Sequence, residues 1–105
     1  MTTFDDRERA FEAKFAHDAD MQFRAEARRN RLLGLWAADL LGKSGDEASS
    51  YASAVVKSDF EQPGEEDVFQ KIRSDLQGKA DDASIRQQMS ALMAEAKAQL
   101  MNEAD

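Results

Sequence analysis

Cysteine is absent from the 105 residues. No disulfide holds this fold and no thiolate serves catalysis or metal binding, as expected in a reducing compartment. There is a single histidine, His17. One imidazole is too few for a metal centre or a nucleophile–base pair, and the carboxylates lack the spacing of a calcium loop. No glycine-rich phosphate loop is present. No apolar run approaches the roughly 18 residues that a membrane span requires. Near the start, Asp5 and Asp6 stand where a secretory signal carries positive charge. The stretch ARRNRLLGLWAADLLG superficially resembles a twin-arginine signal, but it begins too far in and Asp39 interrupts its apolar segment. These absences predict a soluble, cytoplasmic protein that is neither an enzyme nor membrane-inserted.

What is abundant is Ala, Glu, Gln, Lys, Arg, Leu and Met, all strong helix formers, and proline is limited to Pro63. The composition predicts an all-α chain, one domain in size. The net charge of −7 is unevenly placed. Residues 1–31 hold seven basic and seven acidic residues, whereas 32–105 hold seven and fourteen. A body this acidic argues against nucleic acid as a partner.

Four helical patterns follow one another. The first runs from Thr3, a candidate N-cap, to Leu41, with Gly42 as its C′ residue. Gly34 lies inside it, at a cost of about 1 kcal/mol relative to Ala, which points to close helix packing there. The second follows Ser44, spaced with Glu47 as a capping box, and carries Ala48, Tyr51, Ala52, Val55, Val56 and Phe60 until Gln62-Pro63-Gly64 stops it. The third opens on Glu65, Glu66 and Asp67 and presents Val68, Phe69, Ile72 and Leu76. After a loop over Gly78–Asp82, the fourth is expected to begin near Ser84, with Ile85, Met89, Leu92, Met93, Ala96 and Leu100 as its apolar positions. Short connections favour antiparallel neighbours, hence a four-helix bundle.

A helix from Thr3 to Leu41 measures about 58 Å, whereas a compact domain of this size is only some 35 Å across. The other helices cannot cover it. Leu32, Leu33, Trp36, Leu40 and Leu41 are bulky enough to be bundle core. Phe4, Phe11 and Phe15 form a separate stripe within roughly 40° on a helix. Asp18, Gln22, Glu26 and Arg29 then break that stripe before Leu33. The pattern divides the chain into an N-terminal arm, residues 1–18, flexible or marginally helical when free, and a bundle over 19–105. Two uses of the rings stay open: folding back onto the bundle, or lying in a partner's groove.

Two weaker features are Arg24, Arg28, Arg29 and Arg31, a candidate phosphate or acidic-partner contact, and His17, a candidate pH-sensitive group. The plainer expectation for the arginines is a solvated face paired with neighbouring acids, and an exposed histidine is usually inert.

FDDRERAFEAKFAHD, EARRNRLLGLWAADLLG, YASAVVKSDFEQPGEEDVFQKIRSDL and IRQQMSALMAEAKAQ together resemble the zeta subunit of alphaproteobacterial F-type ATP synthases, nearly end to end. The resemblance implies a four-helix bundle whose N-terminal segment enters an interface between catalytic subunits beside the rotor. There it blocks rotation in the ATP-hydrolysis direction. The implied partners are the alpha, beta and gamma subunits of the catalytic head, and the implied place is the cytoplasmic face of the inner membrane. Phe4, Phe11 and Phe15 would be buried anchors. Arg7, Arg9 and Lys14 would pair with acids, while Asp5 helps set orientation and helicity. The family is also linked to purine nucleotides. Weak ADP or ATP binding would then fall to Arg24, Arg28 and Arg29, and a nucleotide-sensing bundle is the alternative function. A helical adaptor using the Phe stripe on an unrelated partner is a third reading.

Overall fold

A computed structural model describes residues 19–61 and 64–104. Among these residues it contains four α-helices and no strand: α1 (Ala19–Leu40), α2 (Gly45–Glu61), α3 (Glu65–Leu76) and α4 (Asp82–Ala104). The expected four-helix bundle is present. The whole expected arm, and the Gln62-Pro63 stop, lie outside the described residues.

At 1.5 Å per residue α1 is about 33 Å long, most of the 39 Å long axis of the described body. It is the shared element, packing on α2, α3 and α4, whereas α2 and α4 do not pack on each other. Gly34 makes the closest approach. A Cβ added there would lie 2.7 Å from Ala52 Cα and 3.3 Å from Val55 Cγ2. Only glycine lets α1 and α2 come this near. Gly34→Ala should therefore lower stability, because displacing backbone in a packed interface costs about 1–3 kcal/mol against about 1 kcal/mol gained in helix propensity. Urea denaturation reads the difference, and a stabilised variant would mean that the helices lie further apart.

The main core holds Leu33, Ala37, Val55, Val68, Phe69, Ile72, Leu76, Ile85 and Met89, with Trp36, Leu41, Tyr51 and Leu92 partly buried against it. All four apolar positions expected on α3 are buried. Two leucines assigned to the core on the strength of their size are corrected. Leu40 is 37% exposed, at the last turn of α1, and Leu32 is only partly buried. Small residues take the tight positions instead, Ala37 and Ala38 being fully buried. A second cluster ties the ends of α1 and α4 together through Ala25 and Leu100, with Met21, Met93 and Met101 packed around them.

Helix ends follow local chemistry. Gly42 (φ 77°) closes α1 in the left-handed region, with Lys43 N–H on the Ala38 carbonyl (2.9 Å) and Gly42 N–H on that of Asp39 (3.1 Å). These two bonds make a complete Schellman motif. At Ser44 the contact is through the backbone, its carbonyl accepting Glu47 N–H at 3.2 Å; the side-chain bonds of a capping box are not made. The start of α4 is corrected from Ser84 to Asp82, because Asp81 is the cap. Its Oδ1 accepts Ser84 N–H at 2.8 Å. The Ser84 hydroxyl and then its N–H hold the Asp81 carboxyl below the ordinary value. The sign is that of a depressed acid: the contribution is present above the unfolded-state pKa and fades as pH falls through the folded one.

Candidate functional site

The arm residues Phe4, Asp5, Arg7, Arg9, Phe11, Lys14 and Phe15, and His17, lie outside the described residues. The arginines do not, and the structure separates them. Arg24 is exposed and ion-pairs with Asp20 one turn back (3.0 Å), an arrangement worth a few tenths of a kcal/mol. Arg28 crosses to α4, where it pairs with Glu103 (2.6 Å) and reaches Gln99 (3.4 Å). Arg29 turns inward and is only 4% exposed. Its Nε donates to Asn30 Oδ1 at 2.8 Å, and a terminal nitrogen lies 3.5 Å from Glu65 of α3. The expectation of a solvated arginine face therefore fails at Arg29. A guanidinium cannot shed its charge at any ordinary pH, so it is buried only with a carboxylate and an amide oxygen beside it.

Asn30 was missed in the sequence. It is fully buried, and its Nδ2 has no partner among the described residues. The available signal was its place between polar Arg29 and the apolar run from Leu32, one turn before Leu33 and Gly34.

Two grooves flank α1. One, about 670 Å³, has Glu26 and Arg29 on its floor, Asp59 on α2, Glu65 on α3, and Met93 and Lys97 on α4. It occupies the gap left because α2 and α4 do not meet. Its charges are mixed, three carboxylates against two cations. The other, about 570 Å³, lies between α1 and α2. There Phe23, Ala27 and Val56 supply apolar surface, and Arg24, Arg28, Arg31 and Lys57 supply charge of one sign. Thus Arg24 and Arg28 share a groove, and Arg29 lines the opposite one.

The remaining polar clusters join helices. Tyr51 donates to Asp75 Oδ2 at 2.8 Å, and Lys71 reaches the same oxygen at 3.1 Å, clasping α2 to α3. Burial, then the Asp75 carboxylate, pushes the phenol further above its ordinary value, so Tyr51 stays a neutral donor. On the far side of α3, the Arg86 guanidinium stacks 3.8 Å from the Phe69 centroid and holds both Glu66 oxygens at 3.0 Å. Among the described residues no three His, Cys, Asp or Glu gather to hold a metal, and no helix is long and apolar enough to cross a membrane.

By its fold the chain is an all-α four-helix bundle whose described concavities are open interhelical grooves. The family model of ATPase inhibitor subunit zeta matches residues 1–99, and the chain belongs to that family. A protein solved by solution NMR is similar to it at 61% identity and a TM-score of 0.73, over 79% of this chain and 98% of that one. A search of curated proteins finds no match. Membership carries association with an ATP synthase and an inhibitory, regulatory role.

Proposed function

We propose that this chain inhibits ATP hydrolysis by an F-type ATP synthase through residues 1–18, which insert at an interface between catalytic subunits and block rotation in the hydrolytic direction. One observation carries the reading: the family match begins at residue 1, so the segment that holds the aromatic stripe falls within it. In this reading the partner of the three rings is the head formed by the alpha, beta and gamma subunits. Phe4, Phe11 and Phe15 act as anchors, and Arg7, Arg9 and Lys14 pair with acidic groups around them. Ordering the segment on binding offsets part of the contact energy.

The test is Phe11→Ala with Phe15→Ala in the full chain. Inhibition should weaken at least tenfold, about 1.4 kcal/mol of interface energy, with the melting temperature little changed. A large fall in melting temperature would instead put the rings into the bundle core.

Nucleotide sensing is the second and weaker reading: Arg29 and Lys97 line the same groove, but Glu65 already holds Arg29 and three carboxylates share the lining, which opposes the phosphates of ADP or ATP. Arg24 and Arg28, on the other groove, would take no part in that site.

A further inference from the structure

The groove between α1 and α2 has a layout that recurs elsewhere in the chain. Its apolar line is Phe23, Ala27 and Val56, and among the described residues no acidic one lines it. Phe23 is 51% exposed. Of its four cations, Arg24 and Arg28 already have Asp20 and Glu103. Arg31 and Lys57, both exposed, have no carboxylate partner among the described residues.

The segment immediately before α1 is the counterpart. Residues 1–18 hold five acids (Asp5, Asp6, Glu8, Glu12, Asp18) against three bases (Arg7, Arg9, Lys14). Wound at about 100° per residue, Asp5, Glu8 and Glu12 form a line directly beside the Phe4, Phe11 and Phe15 stripe. Arg7 and Lys14 border the stripe on its other side, so an aromatic line with acids along one edge precedes an apolar groove edged by positive charge.

We propose that in the free protein residues 1–18 fold back into the α1–α2 groove, laying Phe11 and Phe15 on Phe23, Ala27 and Val56 and setting Glu8 and Glu12 against Arg31 and Lys57. The reach is sufficient. Ala19 opens α1 one turn before Phe23. Antiparallel helices need only about 2–5 residues to reverse. A helical stretch over 4–15 is about 18 Å long, against about 12 Å from Phe23 to Arg31. Because the segment is tethered, its effective concentration is of the order of millimolar. A millimolar intrinsic affinity is then enough to close about half the molecules. The closed form withholds the rings from any other groove, and apparent affinity for a partner falls by the open fraction. That consequence rests on the inhibitory reading above; the docking itself does not.

Because the chain has no cysteine, Ala10→Cys accepts a single nitroxide on the face of the arm away from the rings. In the labelled full-length protein, amides of Ala27, Arg31, Ser53 and Lys57 should broaden at least twice as strongly as those of Ser90, Met93 and Ala94 at the other groove. Arg31→Glu with Lys57→Glu, at two exposed positions, should remove at least half of that difference. Equal broadening at both grooves, or a pattern insensitive to charge reversal, overturns the docking. So does broadening that appears between labelled and unlabelled chains in a mixture, which would assign the groove to a second copy. No ATPase is present in this measurement, so its outcome is independent of whether residues 1–18 inhibit. In a separate hydrolysis assay the same double variant should inhibit at lower concentration than the unchanged chain.

Discussion

A chain that begins at Ala19 is expected to lose inhibition of ATP hydrolysis while melting within a few degrees of the full-length protein. The loss should be large because aromatic anchors dominate interfaces. At more than about 1 kcal/mol for each of three rings, removing residues 1–18 weakens binding by at least about a hundredfold. The melting temperature should hold because Ala25, Leu33, Val55, Ile72, Ile85 and Leu100, which build the two cores, all remain. Hydrolysis by the purified ATPase, titrated with each chain, gives the first quantity, and thermal circular dichroism gives the second. Equal inhibition by both chains would move the function into the bundle. A shortened chain that fails to fold would make the Phe stripe part of the core.

Ile72→Ala should have the opposite signature, a large loss of stability with inhibition preserved below the lowered melting temperature. Only 12 residues long, α3 is at the length where an isolated helix is marginal in water. It therefore persists by burying Val68, Phe69, Ile72 and Leu76 against the other helices. Ile72 is fully buried, and truncating such a side chain costs about 2–5 kcal/mol. For a domain near this size each kcal/mol is about 4–8 °C in melting temperature, so a fall of at least about 8 °C is expected. Chemical denaturation of the two proteins measures the difference directly. A change below about 1 kcal/mol would mean that α3 is more loosely seated than the structure has it.

The helices were legible wherever backbone chemistry singles out one residue type. Gly42 was such a place, because the left-handed C′ position of α1 favours glycine, and Gly34 was another, because the close approach to Ala52 leaves no room for a Cβ. The start of α4 was misplaced because Asp81, Asp82 and Ser84 are all competent caps. The choice among them depends on how the chain leaves α3 through Gln77 and Gly78, both at positive φ. Core assignment by bulk failed at Leu40, which sits where α1 runs out of neighbours. Arg29 and Asn30 were hidden by their polarity: Arg29 pairs with Glu65, 36 residues further along the chain, and Asn30 accepts from Arg29, neither of which a local pattern reports. The separation of Arg29 from Arg24 and Arg28 is likewise a matter of which side of α1 each neighbour occupies. The arm was legible as a pattern of rings and charges, and its role belongs to the tests above.

The arrangement of α2 and α4 alongside α1, without contact between them, also sets how the molecule bears load. Residues 1–18 join the bundle at the end of α1, where Ala25 and Leu100 pack and Arg28 holds Glu103. A pull applied at that end and directed along the α1 axis runs parallel to both neighbours. Their side-chain contacts are then strained together, in shear. They are not peeled apart one after another, as they would be by a force across the axis. A force so applied meets a body that resists as a cleat resists a rope, by sharing tension along its whole length.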